Sequence, residues 1–148
     1  MRSKKSGTVL VVDDVPANLD ITVLSLEREG IRCRTATGGL ECLAVVQSEP
    51  IDLILLDLGM PGMDGWMTLE ALRALPAARS IPVVLFTCHD NLSNRERAMV
   101  EGLVDFLPRP VSRARLVETV RTHLTARARA HALDALDRQL DQNAAMLH

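Results

Sequence analysis

Three short apolar runs stand out along the chain: Thr8-Val9-Leu10-Val11-Val12-Asp13, Ile51-Asp52-Leu53-Ile54-Leu55-Leu56-Asp57 and Pro82-Val83-Val84-Leu85-Phe86-Thr87. Each is rich in branched residues and ends on a polar one. Continuous apolar runs of this length suit strands covered on both faces, as in a parallel sheet. Ile31 to Ala36 instead alternates apolar and basic residues, which predicts an edge strand. Val104 to Leu107 predicts a short strand at the opposite edge.

Helical spacing fills the intervals. After Pro16, Leu19, Val23 and Leu26 fall at i, i+4 and i+7, with Ile21 and Leu24 widening the stripe until Gly30 stops it. Leu40, Leu43 and Val46 repeat the pattern before Pro50, and Trp66, Leu69, Leu72 and Leu75 run between Gly65 and Pro76. Leu92, Met99, Val100 and Leu103 mark a fourth helix, flanked by Asn91 and Gly102. A fifth starts near Ser112, a good N-cap, with Leu116, Val117, Val120 and Leu124 as its apolar face. Five strands alternating with five helices call for a doubly wound α/β fold with a parallel sheet. Right-handed crossovers place helices on both faces, and such sheets bind ligands at the carboxyl ends of their strands.

The helical spacing does not stop with the fifth strand's partner. Thr125 to His148 contains no Gly or Pro, and Leu133, Leu136, Leu140 and Leu147, with Ala144, keep the rhythm. One helix from about Ser112 to Met146 would be about 50 Å long at 1.5 Å per residue. A small domain cannot bury that length, so 148 residues hold one domain and a helical extension.

Composition sharpens this picture mainly by exclusion. With 47% apolar residues the chain is no disordered polymer. A net charge of −2, with only Phe86, Phe106 and Trp66 as aromatics, argues against nucleic-acid binding. Several arginines follow Arg109 on the last helix, but no helix-turn-helix pattern does, so they read as a solvated face. No run approaches the ~20 apolar residues of a membrane span. Residues 1–7 are basic, but the four apolar residues behind them fall short of the about 7–15 of an export signal, so they read as a flexible tail of a cytoplasmic protein. Cys33, Cys42 and Cys88 form no C-x-x-C pair and read as buried or half-buried free thiols.

Strand-end polar residues carry the chemistry. In a parallel sheet Asp13, Asp14, Asp57 and Thr87 all emerge at one edge, and Arg109 follows the fifth strand there. Any one of these acids alone reads as the cap of the next helix. Three together repel one another, and a bound cation or a shared proton relieves that. An all-oxygen donor set suits Mg²⁺ or Mn²⁺. A hydroxyl and a basic group beside such a cation form a pocket for the three oxygens of a phosphoryl group.

Three segments then carry a family resemblance: Val11-Val12-Asp13-Asp14-Val15-Pro16-Ala17-Asn18, Leu55 through Gly65 with its Asp57-Leu58-Gly59-Met60-Pro61, and Asp105-Phe106-Leu107-Pro108-Arg109-Pro110. In order, spacing and strand placement they resemble the signatures of a response-regulator receiver domain. The resemblance covers residues 8–124 and leaves 125–148 as an extension of the last helix, a linker or dimerisation helix. It implies a five-stranded sheet in the order 2-1-3-4-5 with the site where strands 1 and 3 part. It further implies that Asp57 accepts a phosphoryl group from a sensor histidine kinase or phosphotransfer protein. Asp13 and Asp14 would hold Mg²⁺ with Asp57 and the backbone carbonyl of Gly59. Thr87 would donate to a phosphoryl oxygen. Phe106, otherwise a plain core aromatic, would switch rotamer and alter the surface of the fourth helix, fifth strand and fifth helix.

One position departs from that pattern: Arg109 stands where the family has lysine. The charge survives, but a planar fork replaces a compact ammonium, so phosphorylation is expected to persist and to couple less well to the switch. The alternative is a degenerate receiver that works as a phosphate-independent interaction or dimerisation module. The Arg109-Pro110 peptide is expected to be cis by the same resemblance. Gly59 lacks a side chain to shield an acyl phosphate, which predicts a lifetime of minutes rather than hours, and His89 reads as a solvated loop residue. A haloacid-dehalogenase-type hydrolase would need an acid where Gly59 stands, and no phosphate-binding glycine loop is present, so the chain reads as a signalling module, not an enzyme.

Overall fold

A computed structural model describes residues 7–146; all but Gly7 of the tail expected over residues 1–7, and Leu147 of the leucine series, lie outside the described residues. Five strands, β1 (Thr8–Val12), β2 (Arg32–Ala36), β3 (Leu53–Leu56), β4 (Val83–Thr87) and β5 (Asp105–Pro108), form one sheet. They run parallel in the order β2-β1-β3-β4-β5, as the resemblance implies. Between and after them lie α1 (Pro16–Glu27), α2 (Gly39–Ser48), α3 (Gly65–Ala74), α4 (Leu92–Val100) and α5 (Arg113–Met146).

Alternate residues of each strand feed two separate cores. Leu10, Val12, Ile54, Leu56 and Leu85 face Cys42, Val46, Leu69, Leu72 and Ala98 of α2, α3 and α4. Val9, Val11, Leu53, Leu55, Val84, Phe86 and Leu107 face Leu19 and Leu26 of α1 and Leu116, Val117, Val120 and Leu124 of α5. The central strands are buried on both sides, which is why their sequences read as unbroken apolar runs.

Local signals set most helix ends. Pro16 starts α1, and Gly30 leaves it at φ +81°. The side chains of Asp64 and Asn91 accept the N–H groups of Met67 and Asn94 at the starts of α3 and α4. Ser112 accepts the Arg115 N–H at 3.1 Å, as its predicted capping role requires.

Helix faces were less legible, and the expected stripes need correction. Leu92, Met99 and Val100 of α4 are exposed, and only Ala98 of that helix is buried. α4 is held instead by polar and cation–π contacts. Arg95 lies 4.9 Å from the Phe106 ring, Arg97 lies 4.5 Å from the Trp66 ring, and Trp66 Nε1 donates to Asn94 Oδ1. Ile21 and Leu24 of α1 and Leu40 of α2 also point outward, because Thr22 and Cys42 occupy the inward positions.

α5 is the long helix anticipated from the leucine spacing. Its contacts with the domain continue past Leu124 to Arg127, whose Nη1 donates to Ser80 O at 2.9 Å and whose Nε lies 3.5 Å from Asp52 Oδ1. Beyond Arg127 every described residue is exposed, including Leu133, Leu136 and Leu140.

Candidate functional site

The carboxyl edge of the sheet gathers the acids. Backbone bonds carry the ladder one residue past the strands: Asp13 N–H donates to Ala36 O, and Asp57 N–H donates to Val12 O, both at 3.1 Å. Asp13 and Asp57 are thereby fixed side by side at the ends of β1 and β3, with Asp14 next in the chain. One oxygen from each of the three carboxylates lies within 4.8 Å of the others. Asp13 is fully buried and Asp57 is 9% exposed, so water screens their repulsion poorly.

Glycine at position 65 makes this arrangement possible. A Cβ there would lie 2.5 Å from Asp57 O and 2.7 Å from Leu58 Cα, so the start of α3 sits directly on the backbone of the central acid.

Asp13 is only partly satisfied. Its Oδ1 accepts the Val15 N–H at 2.9 Å. Its Oδ2 lies 2.7 Å from Arg109 Nη1, off the direction of a hydrogen bond, and so is buried with no hydrogen-bond partner. A buried carboxylate oxygen in that condition, within a three-acid oxygen donor set, fits a hard divalent cation such as Mg²⁺ or Mn²⁺. Arg109 is placed by its backbone N–H, which donates to Thr87 O at 2.9 Å, and its peptide bond to Pro110 is cis as expected. Thr87 is fully buried, and its Oγ1 accepts the His89 N–H at 3.1 Å. The hydroxyl hydrogen is left free to donate elsewhere.

The family model described as "Response regulator receiver domain" matches residues 9–121. The chain belongs to the response-regulator receiver family. Among curated relatives, Sensor protein GacS of Pseudomonas syringae pv. syringae is 38% identical over 121 residues, which cover 80% of this chain and 13% of that protein. Response regulator PleD of Caulobacter vibrioides (strain NA1000 / CB15N) is 38% identical over 117 residues, covering 79% of this chain and 26% of that protein. The receiver described here thus spans a minor part of these relatives. A solved CheY-like receiver domain from Methanospirillum hungatei JF-1 superposes with a TM-score of 0.77 at 28% identity, covering 84% of this chain and 98% of that one.

Within the receiver, Thr87 and Phe106 share one face of the sheet. Leu85 pairs with Phe106 and Thr87 with Pro108, and Phe106 is half-buried against the core beneath α4. Asp13, Asp14, Asp57, Thr87 and Arg109 meet at one edge, while Phe106 stands one same-face step back from it along β5, beside Leu85. Gly59 is exposed, and its N–H reaches Asp57 Oδ1 at 3.4 Å.

Two contacts of the site were not legible in the sequence. Phe86 lies under the guanidinium of Arg109, 4.0 Å from ring centroid to Cζ. His89, read as a solvated loop residue, is exposed but lays its ring against Gly59. Cys88, expected to be at least half-buried, is exposed, because it follows the last inward position of β4. Cys33 and Cys42 are buried as expected, and burial pushes both thiols up to about 12, with Glu27 adding to the effect at Cys33. They are protonated and inert at neutral pH.

Proposed function

We propose that this receiver accepts a phosphoryl group on Asp57 from a phosphohistidine of a sensor histidine kinase or phosphotransfer protein, in a reaction dependent on Mg²⁺ or Mn²⁺. The observation that carries this reading is the convergence of Asp13, Asp14 and Asp57 within 4.8 Å beside a buried threonine hydroxyl and an arginine.

An Asp57 oxygen attacks phosphorus in line while the P–N bond to the donor imidazole breaks and its electron pair returns to nitrogen. Asp13, Asp14, Asp57 and the Gly59 carbonyl would hold the cation. When bound, it offsets the repulsion between carboxylate and phosphate. Thr87, its oxygen already accepting from His89, turns its hydrogen to a phosphoryl oxygen. Phe106 follows on the same face and changes the surface made by α4, β5 and α5. Self-catalysed transfer and dephosphorylation are the only chemistry, and the module works in the cytoplasm. Among the described residues no helix is long and apolar enough to cross a membrane.

The test is incubation with Mg²⁺ and a small phosphoryl donor such as acetyl phosphate. The expected result is a mass gain of one phosphoryl group, absent in Asp57→Asn. No gain in the wild type overturns the reading, and turnover of many donor molecules points to a hydrolase.

A second reading is favoured by one observation: the ion pair of Arg109 is with Asp13. A receiver whose basic residue is engaged there would act as a phosphate-independent interaction module. In either case the exposed Leu133, Leu136 and Leu140 suit pairing of α5 with a second copy. Sedimentation that stays monomeric at high concentration, with or without the phosphoryl donor, would reject that pairing.

A further inference from the structure

Arg109 stands on the cation site, and three observations show how it is held there. Nη1 lies 2.7 Å from Asp13 Oδ2, the guanidinium carbon lies 4.0 Å from the Phe86 ring centroid, and the side chain is only 16% exposed. Neither charge is well bonded: Asp13 Oδ2 and Arg109 Nε are both buried without a hydrogen bond. A pair bound chiefly by charge gives way to a competitor that offers more charge and better coordination. The aromatic face, in contrast, suits a planar guanidinium and keeps it over the acid.

We propose that Arg109, seated on Phe86, is a built-in counter-ion that competes with the divalent cation for Asp13 and so sets the affinity of the site. The proposal rests on the reading of Asp13, Asp14 and Asp57 as a cation site. A dication sharing Asp13 must sit within a few ångströms of the guanidinium, and like charges at that distance in a water-poor pocket repel strongly. Binding therefore turns the guanidinium off Asp13. Released, it becomes available at the same edge to the oxygens of an incoming phosphoryl group. Arginine at this position thus links cation occupancy to the presentation of the site's own positive charge. Phe86 is a positioning residue in this scheme: it acts on the cation only through Arg109.

Mn²⁺ titration of the full chain, with free Mn²⁺ read by electron paramagnetic resonance, tests the competition without any phosphoryl transfer. Arg109→Gln is expected to bind Mn²⁺ about tenfold more tightly than the wild type, because the repelling charge is gone. Phe86→Leu, with Arg109 in place, is expected to tighten binding by about threefold, because the guanidinium loses its seat. Phe86→Leu in the Arg109→Gln background is expected to add nothing. Affinity in Arg109→Gln equal to or weaker than the wild type overturns the proposal, as does a Phe86 effect that persists without the arginine. Should Arg109→Gln fail to give a cooperative thermal melt, Arg109→Met, which also removes the charge but keeps a long apolar side chain beside Phe86, replaces it, with tighter binding than the wild type again expected. Asp14→Asn separates the cation site from the competition for it. If wild type, Arg109→Gln and Asp14→Asn bind Mn²⁺ alike, the cation site itself is wrong; if only Asp14→Asn loses binding, the site stands and the competition is refuted.

Discussion

The ring of His89 occupies the space above Gly59: a Cβ on the glycine would fall 2.2 Å from His89 Nε2. The bare glycine is therefore not bare to water on that side. His89→Ala is expected to shorten the half-life of phosphorylated Asp57 severalfold by opening this face to water. The decay of the phosphorylated mass after donor removal measures it. Equal half-lives in wild type and variant would assign the shielding to another residue.

Gly65 bears on the placement of Asp57. Alanine there meets backbone atoms at 2.5 and 2.7 Å, which cannot yield as a side chain does. Gly65→Ala is expected to cost about 1–3 kcal/mol of stability despite alanine's better helix propensity. Phosphoryl acceptance should fall with it. Gly38→Ala is the control: with φ −176° and nothing within 4 Å of an added Cβ it loses only glycine's preference at the α2 N-cap, and it should cost less than Gly65→Ala in urea denaturation.

Arg127 ties the long helix to the amino-terminal side of the sheet. It donates to Ser80 O and pairs with Asp52, whose other oxygen accepts the Thr8 N–H at 2.8 Å. Arg127→Ala is expected to cost about 1–2 kcal/mol, the range for a charged hydrogen bond in a partly screened setting. Limited proteolysis should cut the exposed part of α5 sooner in the variant. Unchanged stability and cleavage would mean that the apolar face of α5 suffices.

The two buried thiols make the fold sensitive to alkali. Their folded values near 12 lie above the ordinary 9.0, so the unfolded chain ionises first and stability falls as pH rises from about 9 to 12. Each thiol contributes a slope of about 1.4 kcal/mol per pH unit in that window. Denaturation midpoints of Cys33→Ala and Cys42→Ala against pH should show shallower slopes. In native protein a thiol reagent should label Cys88 alone among the three cysteines.

Trp66 is the sole tryptophan and touches α4 twice, through Asn94 and through Arg97. Its emission should change when a phosphoryl donor and Mg²⁺ are added to the wild type and stay constant in Asp57→Asn. A constant signal in both would indicate that α4 keeps its place on Trp66.

The sheet was legible because both-faces burial writes itself into Val9–Val12, Leu53–Leu56 and Val83–Phe86 as unbroken apolar runs. The acids were legible because a parallel sheet delivers every strand end to one edge. α4 was misread for a physical reason: periodicity assumes that helices stick by apolar faces, whereas here arginine side chains over Trp66 and Phe106 hold it. The Phe86–Arg109 stack and the His89–Gly59 contact join residues from different loops and strands, and linear spacing carries no trace of such a meeting.

The clamp at Arg127 gives α5 a fulcrum. From there to Met146 the helix runs free for about 28 Å at 1.5 Å per residue. A tilt of about 10° at the clamp would carry the far end sideways by about 5 Å, roughly one turn of helix pitch. Whatever rests against that end would feel a small rotation of the receiver as a displacement the size of a side chain.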